Sequence, residues 1–188
     1  MALSFAGNGT ITGLSVGGLP DGVVDGDTLA SGVGGGLLKL KTAIKKDTAT
    51  STATSMTAIT GLSVDITPSS TSNKILVSWN INLNGNGTGA TIAIFRGGSL
   101  VSDFAPTSPG SRPQGVGQFY TAEGSDIKSR SGMALDNPAS TSSLTYAVYW
   151  STPNGTSYLN QAEVAEDSVW YTRVISSITV MEIASSIL

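Results

Sequence analysis

The run NKILVSWNINLN (residues 73–84) sets Ile75, Val77, Trp79, Ile81 and Leu83 on alternate positions, with mostly polar residues between them. A two-residue period gathers all five on one side of an extended chain and scatters them around a helix. The stretch therefore demands a strand with one buried face. LTYAVYWS (144–151) does the same with Leu144, Tyr146, Val148 and Trp150. NGNGTG (84–89) separates the first run from ATIAIFRG, and TPNGT separates the second from SYLNQ. Asn-Gly steps supply the positive φ of a tight turn, so each predicts a hairpin. WYTRVISSITVMEI (170–183) reads as a final long strand. Its Met181 and Ile183 fall out of phase with Ile178 and Val180, which predicts cover on both faces and a place inside the sheet. Roughly seven short strands bounded by Gly, Pro and Asn turns predict an all-β protein with an antiparallel, jelly-roll-like β-sandwich as its C-terminal domain.

The hexapeptide ITGLSV occurs at 11–16 and again at 59–64, but the residues after the two copies differ, so it is no solenoid repeat. In the second copy Ile59 is out of phase with Leu62 and Val64, and Gly61 stands between them. A glycine there marks a β-bulge or a close backbone approach. The first copy reads as a strand without a sheet of its own, to be completed by a neighbouring chain. It opens a segment, 13–36, that holds nine glycines among Leu14, Val16, Leu19, Val23, Val24, Leu29 and Val33. Ordering so many residues costs more backbone entropy than burying seven aliphatic side chains returns. Such an arm takes a shape when a partner adds backbone hydrogen bonds, as in strand addition. The predicted organisation is an extended Gly-rich N-terminal arm (1–36), a connector (37–55) and a head (56–188). Within the connector, LLKLKTAIKK fits a helix or a strand, and its lysines read as a solvated charged face.

Composition narrows function by exclusion. With no Cys and no His, the chain has no thiol nucleophile, disulfide, imidazole base or Cys/His metal site. Asp21, Asp25 and Asp27 lie in ordinary Asp-Gly turn chemistry rather than a calcium-loop spacing. Glu123, Asp126, Asp136, Glu163, Glu166 and Asp167 read as solvated loop charges rather than a glycosidase pair. Asn8, Asn86 and Asn154 each begin an N-G-T triplet, read as turns. No catalytic residue, metal or cofactor is expected. The net charge of −3 is too small to imply a nucleic-acid partner, and no run approaches the ~20 apolar residues of a membrane span. The start MALSFAGNGTITG lacks the basic and apolar regions of a secretion signal, so synthesis and folding in a cytoplasm are expected. Hydrophobic residues make up 39% and charged residues only 12%, a balance that suits a surface partly covered by copies of the same chain or by a larger assembly.

AITGLSVDITPSSTSNKILVSWNINL, NPASTSSLTYAVYW and ISSITVMEIA, with the leading GTITGLSVGGLPDGVVDGDTLASG, resemble the tail-fibre-like virion proteins common among marine and cyanobacterial phages. The resemblance implies a homotrimer of β-sandwich heads on a stalk-like N-terminal segment attached to the virion. Trimerisation would also cover exposed strand edges. The expected protein is a non-enzymatic virion component and short fibre for host attachment. Its expected partners are itself, other tail or capsid proteins and a glycan or protein of the host surface. Leu14, Val16, Leu19, Val23, Val24 and Leu29 are the candidate virion-anchoring residues. Capsid decoration that cements the shell is the alternative, and a polysaccharide-cleaving spike a third. Long surface loops carry recognition more often than strands, which singles out GSLVSDFAPTSPGSRPQGVG (98–117) and its neighbourhood. Phe104, Arg112, Phe119 and Tyr120 are the candidate receptor contacts. Tyr149, Trp150, Tyr158, Trp170 and Tyr171 also have the chemistry to stack on sugars where exposed, although aromatics in strands are more often core.

Overall fold

The computed structural model describes residues 4–5, 11–12, 36–85, 89–107, 110–164 and 166–188. Among them are thirteen strands: β1 (Ser4–Phe5), β2 (Ile11–Thr12), β3 (Leu37–Lys45), β4 (Ala49–Ser51), β5 (Thr57–Ile66), β6 (Lys74–Asn84), β7 (Ala90–Arg96), β8 (Ser99–Leu100), β9 (Gly117–Phe119), β10 (Lys128–Asp136), β11 (Leu144–Ser151), β12 (Ser157–Leu159) and β13 (Ser176–Ile183). In one large sheet β3, β13, β6 and β10 are neighbours in that order, with β12 and β4 extending it at one end. In the other the order is β5, β11, β7, and then β8 and β9 side by side on the far edge of β7. Every pairing is antiparallel. Leaving aside the three-residue strands β4 and β12 and counting β8 and β9 as one interrupted position, the eight positions in chain order run 1-8-3-6 in one sheet and 2-7-4-5 in the other. That is the connectivity of a jelly roll, and the all-β sandwich expectation holds.

The alternation in the sequence builds the core. Ile75, Val77, Trp79, Ile81 and Leu83 of β6 are buried against Tyr146, Val148 and Trp150 of β11, Ile92 and Ile94 of β7, and Ile178 and Val180 of β13. Gly61 has φ +88°, and the β5–β11 register slips beside it, between Ala147 and Tyr149. Of the two readings of this glycine, the bulge is the one present. Two steps along β11, from Ala147 to Tyr149, face five along β5, from Ser63 to Ala58, and this odd slip turns Ile59, Leu62, Val64 and Ile66 all into the core, despite their mismatched spacing.

Several expectations are corrected. β6 and β7 lie in opposite sheets, as do β11 and β12, so neither Asn-Gly segment closes a hairpin. Alternation says which face of a strand is buried and not which strand lies beside it. In a jelly roll most consecutive strands cross the sandwich. The second crossing still uses its glycine, Gly155, at φ +74°. The 37–55 segment is part of the sandwich: β3 runs beside β13 from Lys45–Ser176 to Leu37–Ile183, and β4 pairs with β12. Its lysines are not simply solvated, because Lys45 is buried and bonded to Asp47 at 2.6 Å, while Lys39 reaches Glu182 at 3.1 Å. The last strand begins at Ser176, not at Trp170, and does lie inside the sheet, between β3 and β6. β2 pairs with β1 of the same chain, Ile11 opposite Phe5. The rest of that first hexapeptide copy lies outside the described residues, as does the remainder of the arm up to residue 35.

Two buried carboxylates tie the sandwich together at the end where Gly36 leads into β3. Asp136 of β10 accepts hydrogen bonds from Arg96 of β7 and from the Tyr146 hydroxyl of β11, joining the two sheets. The sequence reading of Asp136 as a solvated charge is thus overturned, since it lies in strand-to-sheet contact with a cation and a phenol. Burial, reinforced by the bond to Asp136, pushes the Tyr146 hydroxyl well above the ordinary tyrosine range.

Glu182 shares the inward face of β13 with Ile178 and Val180 and is fully buried. Its Oε1 accepts bonds from the Ser69 amide (2.6 Å), the Ser69 hydroxyl (2.6 Å) and Asn73 Nδ2 (2.7 Å). Its Oε2 faces Lys39 Nζ. Burial alone would raise its pKa, but these donors outweigh burial and hold it at about 2, against 4.5 for an ordinary glutamate. A folded-state pKa below the unfolded one stabilises at neutral pH, and that stabilisation disappears as pH falls from about 4.5 to about 2. At ~1.4 kcal/mol per pKa unit the loss is at most about 3.5 kcal/mol. Urea titrations between pH 6 and pH 2 should show the wild type losing this increment while Glu182→Gln stays flatter. A constant gap between the two proteins across that range would show that Glu182 is not the group involved.

Candidate recognition surface

The register fixes what lies at each end of the sandwich. Ile183 and Leu37, Lys74 and Asp136, and Ile66 and Leu144 come together at the end that carries Gly36. The Ala184 amide donates to the Gly36 carbonyl there at 2.8 Å. At the opposite end emerge the β3–β5 segment and the turns after β6 and β11. The 120–127 and 160–175 loops emerge there as well.

Two buried asparagines hold these last two loops. Asn84, at the end of β6, donates through Nδ2 to the carbonyls of Glu123 (3.1 Å), Gly124 (3.0 Å) and Asp126 (2.6 Å), so one amide gathers a whole turn. Asn160 comes directly after β12 with φ +60°, a conformation that asparagine tolerates better than most residues. Its Nδ2 donates to the carbonyls of Lys45 and Asp47, each at 2.9 Å, and its Oδ1 accepts from the Ser176 hydroxyl at 2.7 Å. Its own carbonyl receives the Val174 amide at 3.3 Å. Both feet of the 160–175 loop are thereby fastened to one residue. The two loops also touch, because the Glu163 amide donates to the Gly124 carbonyl at 2.8 Å.

On this base stand large side chains with little cover. Val169 is 95% exposed, Trp170 85% and Tyr120 61%. An indole so exposed forgoes most of the stabilisation that burying it would bring. Ser168 shapes the tip: its carbonyl accepts the Tyr171 amide at 3.1 Å and its hydroxyl the Trp170 amide at 3.4 Å. Glu123, Asp126, Glu163, Glu166 and Asp167 lie in the same two loops. The surface therefore offers flat apolar groups beside carboxylate acceptors. That chemistry suits stacking on a sugar ring or a side chain while hydroxyl or amide donors are met at the rim. Among the described residues no group of three or more acidic side chains is placed to hold a metal.

The four candidate receptor contacts separate. Tyr120 is exposed at this end, and Phe119, one position before it, points inward and is wholly buried, with the Arg130 guanidinium 5.4 Å over its ring. Phe104 is also core, 6.3 Å from Trp79, because Val101 and the 3₁₀ turn Ser102–Phe104 plug the sandwich rather than project from it. Phe104 and Phe119 are therefore corrected to packing residues. Arg112 lines a groove of about 560 Å³ with Thr91, Pro113, Gly115, Val116 and Gln118, on the sheet edge next to β9. Tyr149 is half-buried and stacked on Phe95 at 3.9 Å, and Trp150 is core. Sequence reasoning misses Val169, although its acidic neighbours in EDSVWYTR argue against a core strand. Leu14, Val16, Leu19, Val23, Val24 and Leu29 lie outside the described residues. No family model matches the chain, and no curated protein matches it.

Proposed function

We propose that this protein is a structural component of a phage particle: a short homotrimeric fibre attached through its N-terminal arm, residues 1–36, and presenting its sandwich to the host surface. One observation carries the reading. The sandwich has two unlike ends, with the N-terminal segment joining at Gly36 on one and the exposed Trp170, Val169 and Tyr120 braced on the other. A fibre needs that separation, because the attached end and the searching end do not compete for the same surface. The resemblance of ITGLSVDITPSSTSNKILV and ISSITVMEIA to tail-fibre-like sequences supports the same reading. Jelly rolls also build viral shells, and this likeness of fold favours capsid decoration as the second reading.

Particles carrying Trp170→Ala together with Val169→Ser should assemble in normal yield and adsorb to host cells at least about tenfold more slowly, as loss of an aromatic anchor predicts. Unchanged adsorption, with fragile particles when the protein is omitted altogether, would replace fibre by decoration.

A further inference from the structure

The outer face of the β3–β13–β6–β10 sheet is unlike a surface made for water. Leu40, Met181, Leu76 and Leu135 stand directly opposite one another in a row that crosses all four strands. Leu40 is 56% exposed, and Met133, in the adjacent row, 68%. The rows beyond carry Ser, Thr and Asn with the exposed Ile44, and among the described residues Lys74 is the single charged side chain that the register turns outward on these four strands. Charge depletion with exposed Leu and Met is the composition of an interface centre, and the most apolar interfaces are those between permanently associated copies.

We propose that this face docks on a second copy of the same chain. The inference rests on the self-association of the proposed fibre and is independent of host contact. Four strands about 4.8 Å apart and about nine residues long give roughly 600 Å² in projection, and side-chain relief brings the accessible area towards the ~800 Å² per partner of a stable interface. The row is also complementary to itself. Any rotation about an axis along the strands lays the β3–β13 half of one face on the β6–β10 half of the next, setting Leu40 and Met181 against Leu76 and Leu135. Three copies close such a ring, and every copy then points its Gly36 end the same way. A foreign partner would have no need of this left-to-right match.

Sedimentation equilibrium on the full chain tests the proposal without host cells. The wild type should be a trimer, and Leu40→Glu and Met133→Glu should each weaken association at least about a hundredfold, giving monomers with unchanged far-ultraviolet circular dichroism. Both positions are exposed, so a charge there does not disturb the core. A wild type that is monomeric at tens of micromolar, or folded glutamate variants that remain trimeric, would overturn it. Because Trp170 lies on the opposite end from Gly36 and off this face, slow adsorption by a trimeric Trp170→Ala variant would leave the interface intact. A monomeric wild type would sink the interface and leave the loop assignment to its own assay.

Discussion

Replacing Asp136 by alanine is expected to cost about 3–5 kcal/mol, the range for removing one partner of a buried ion pair. The carboxylate lies between three strands of two sheets and receives both the Arg96 guanidinium and the Tyr146 hydroxyl. Without it the cation stays only partly reachable by water, and a buried phenol loses its acceptor. A domain of this kind is stable by only about 5–15 kcal/mol, so the variant should sit near its unfolding threshold at physiological temperature. Asp136→Asn keeps the acceptor and should lose less, and Tyr146→Phe, which removes one neutral donor, only about 1–2 kcal/mol. Urea unfolding of the three variants should rank them in that order. An Asp136→Ala loss no larger than that of Tyr146→Phe would mean that the Arg96 contact contributes nothing.

Asn160→Asp is expected to be nearly as damaging, although it changes one NH₂ group for an oxygen. The side-chain amide donates to two carbonyls, and a carboxylate in its place would set negative charge against both acceptors while buried. The expected loss is about 3–4 kcal/mol, unless the acid takes up a proton, which would make the penalty grow as pH rises. Asn160→Ala loses the same bonds and adds strain at a positive φ, for about 2–4 kcal/mol. In both variants amide exchange should accelerate across 161–175 before it does in β6 or β13. If stability falls while the loop stays protected, Asn160 supports the sheet and not the recognition surface.

The period of each strand decides how much of the fold is legible in the sequence. Two-residue alternation in β6 and β11 names their buried faces correctly, and Gly61 betrays its bulge. Neighbour relations are beyond its reach, because pairing β3 with β13 joins residues more than a hundred positions apart and leaves no local mark. The same limit makes two crossings look like hairpins. At the surface, choosing candidates by residue type treats Phe119 and Tyr120 alike, although adjacent strand positions must face opposite ways. Glu182 and Asp136 are hidden for a different reason. A buried carboxylate is spelled like a solvated one, and only the donors that surround it tell them apart. Asn84 and Asn160 look like turn residues in the chain and are hydrogen-bonding hubs in the fold.

The position of β13 between β3 and β6 also governs how the molecule comes into being. Among the described strands β13 leaves the ribosome after all the others, yet it occupies the interior of a sheet that β3 begins. Until Ser176–Ile183 is available, β3 has no neighbour in its sheet and the Lys74–Asn80 stretch of one β6 edge is bare, so completion of the sheet waits until residue 183 has been made. Such long-range closure places the protein among slow folders, with lifetimes of milliseconds to seconds for a nascent state whose open strand edges need shielding.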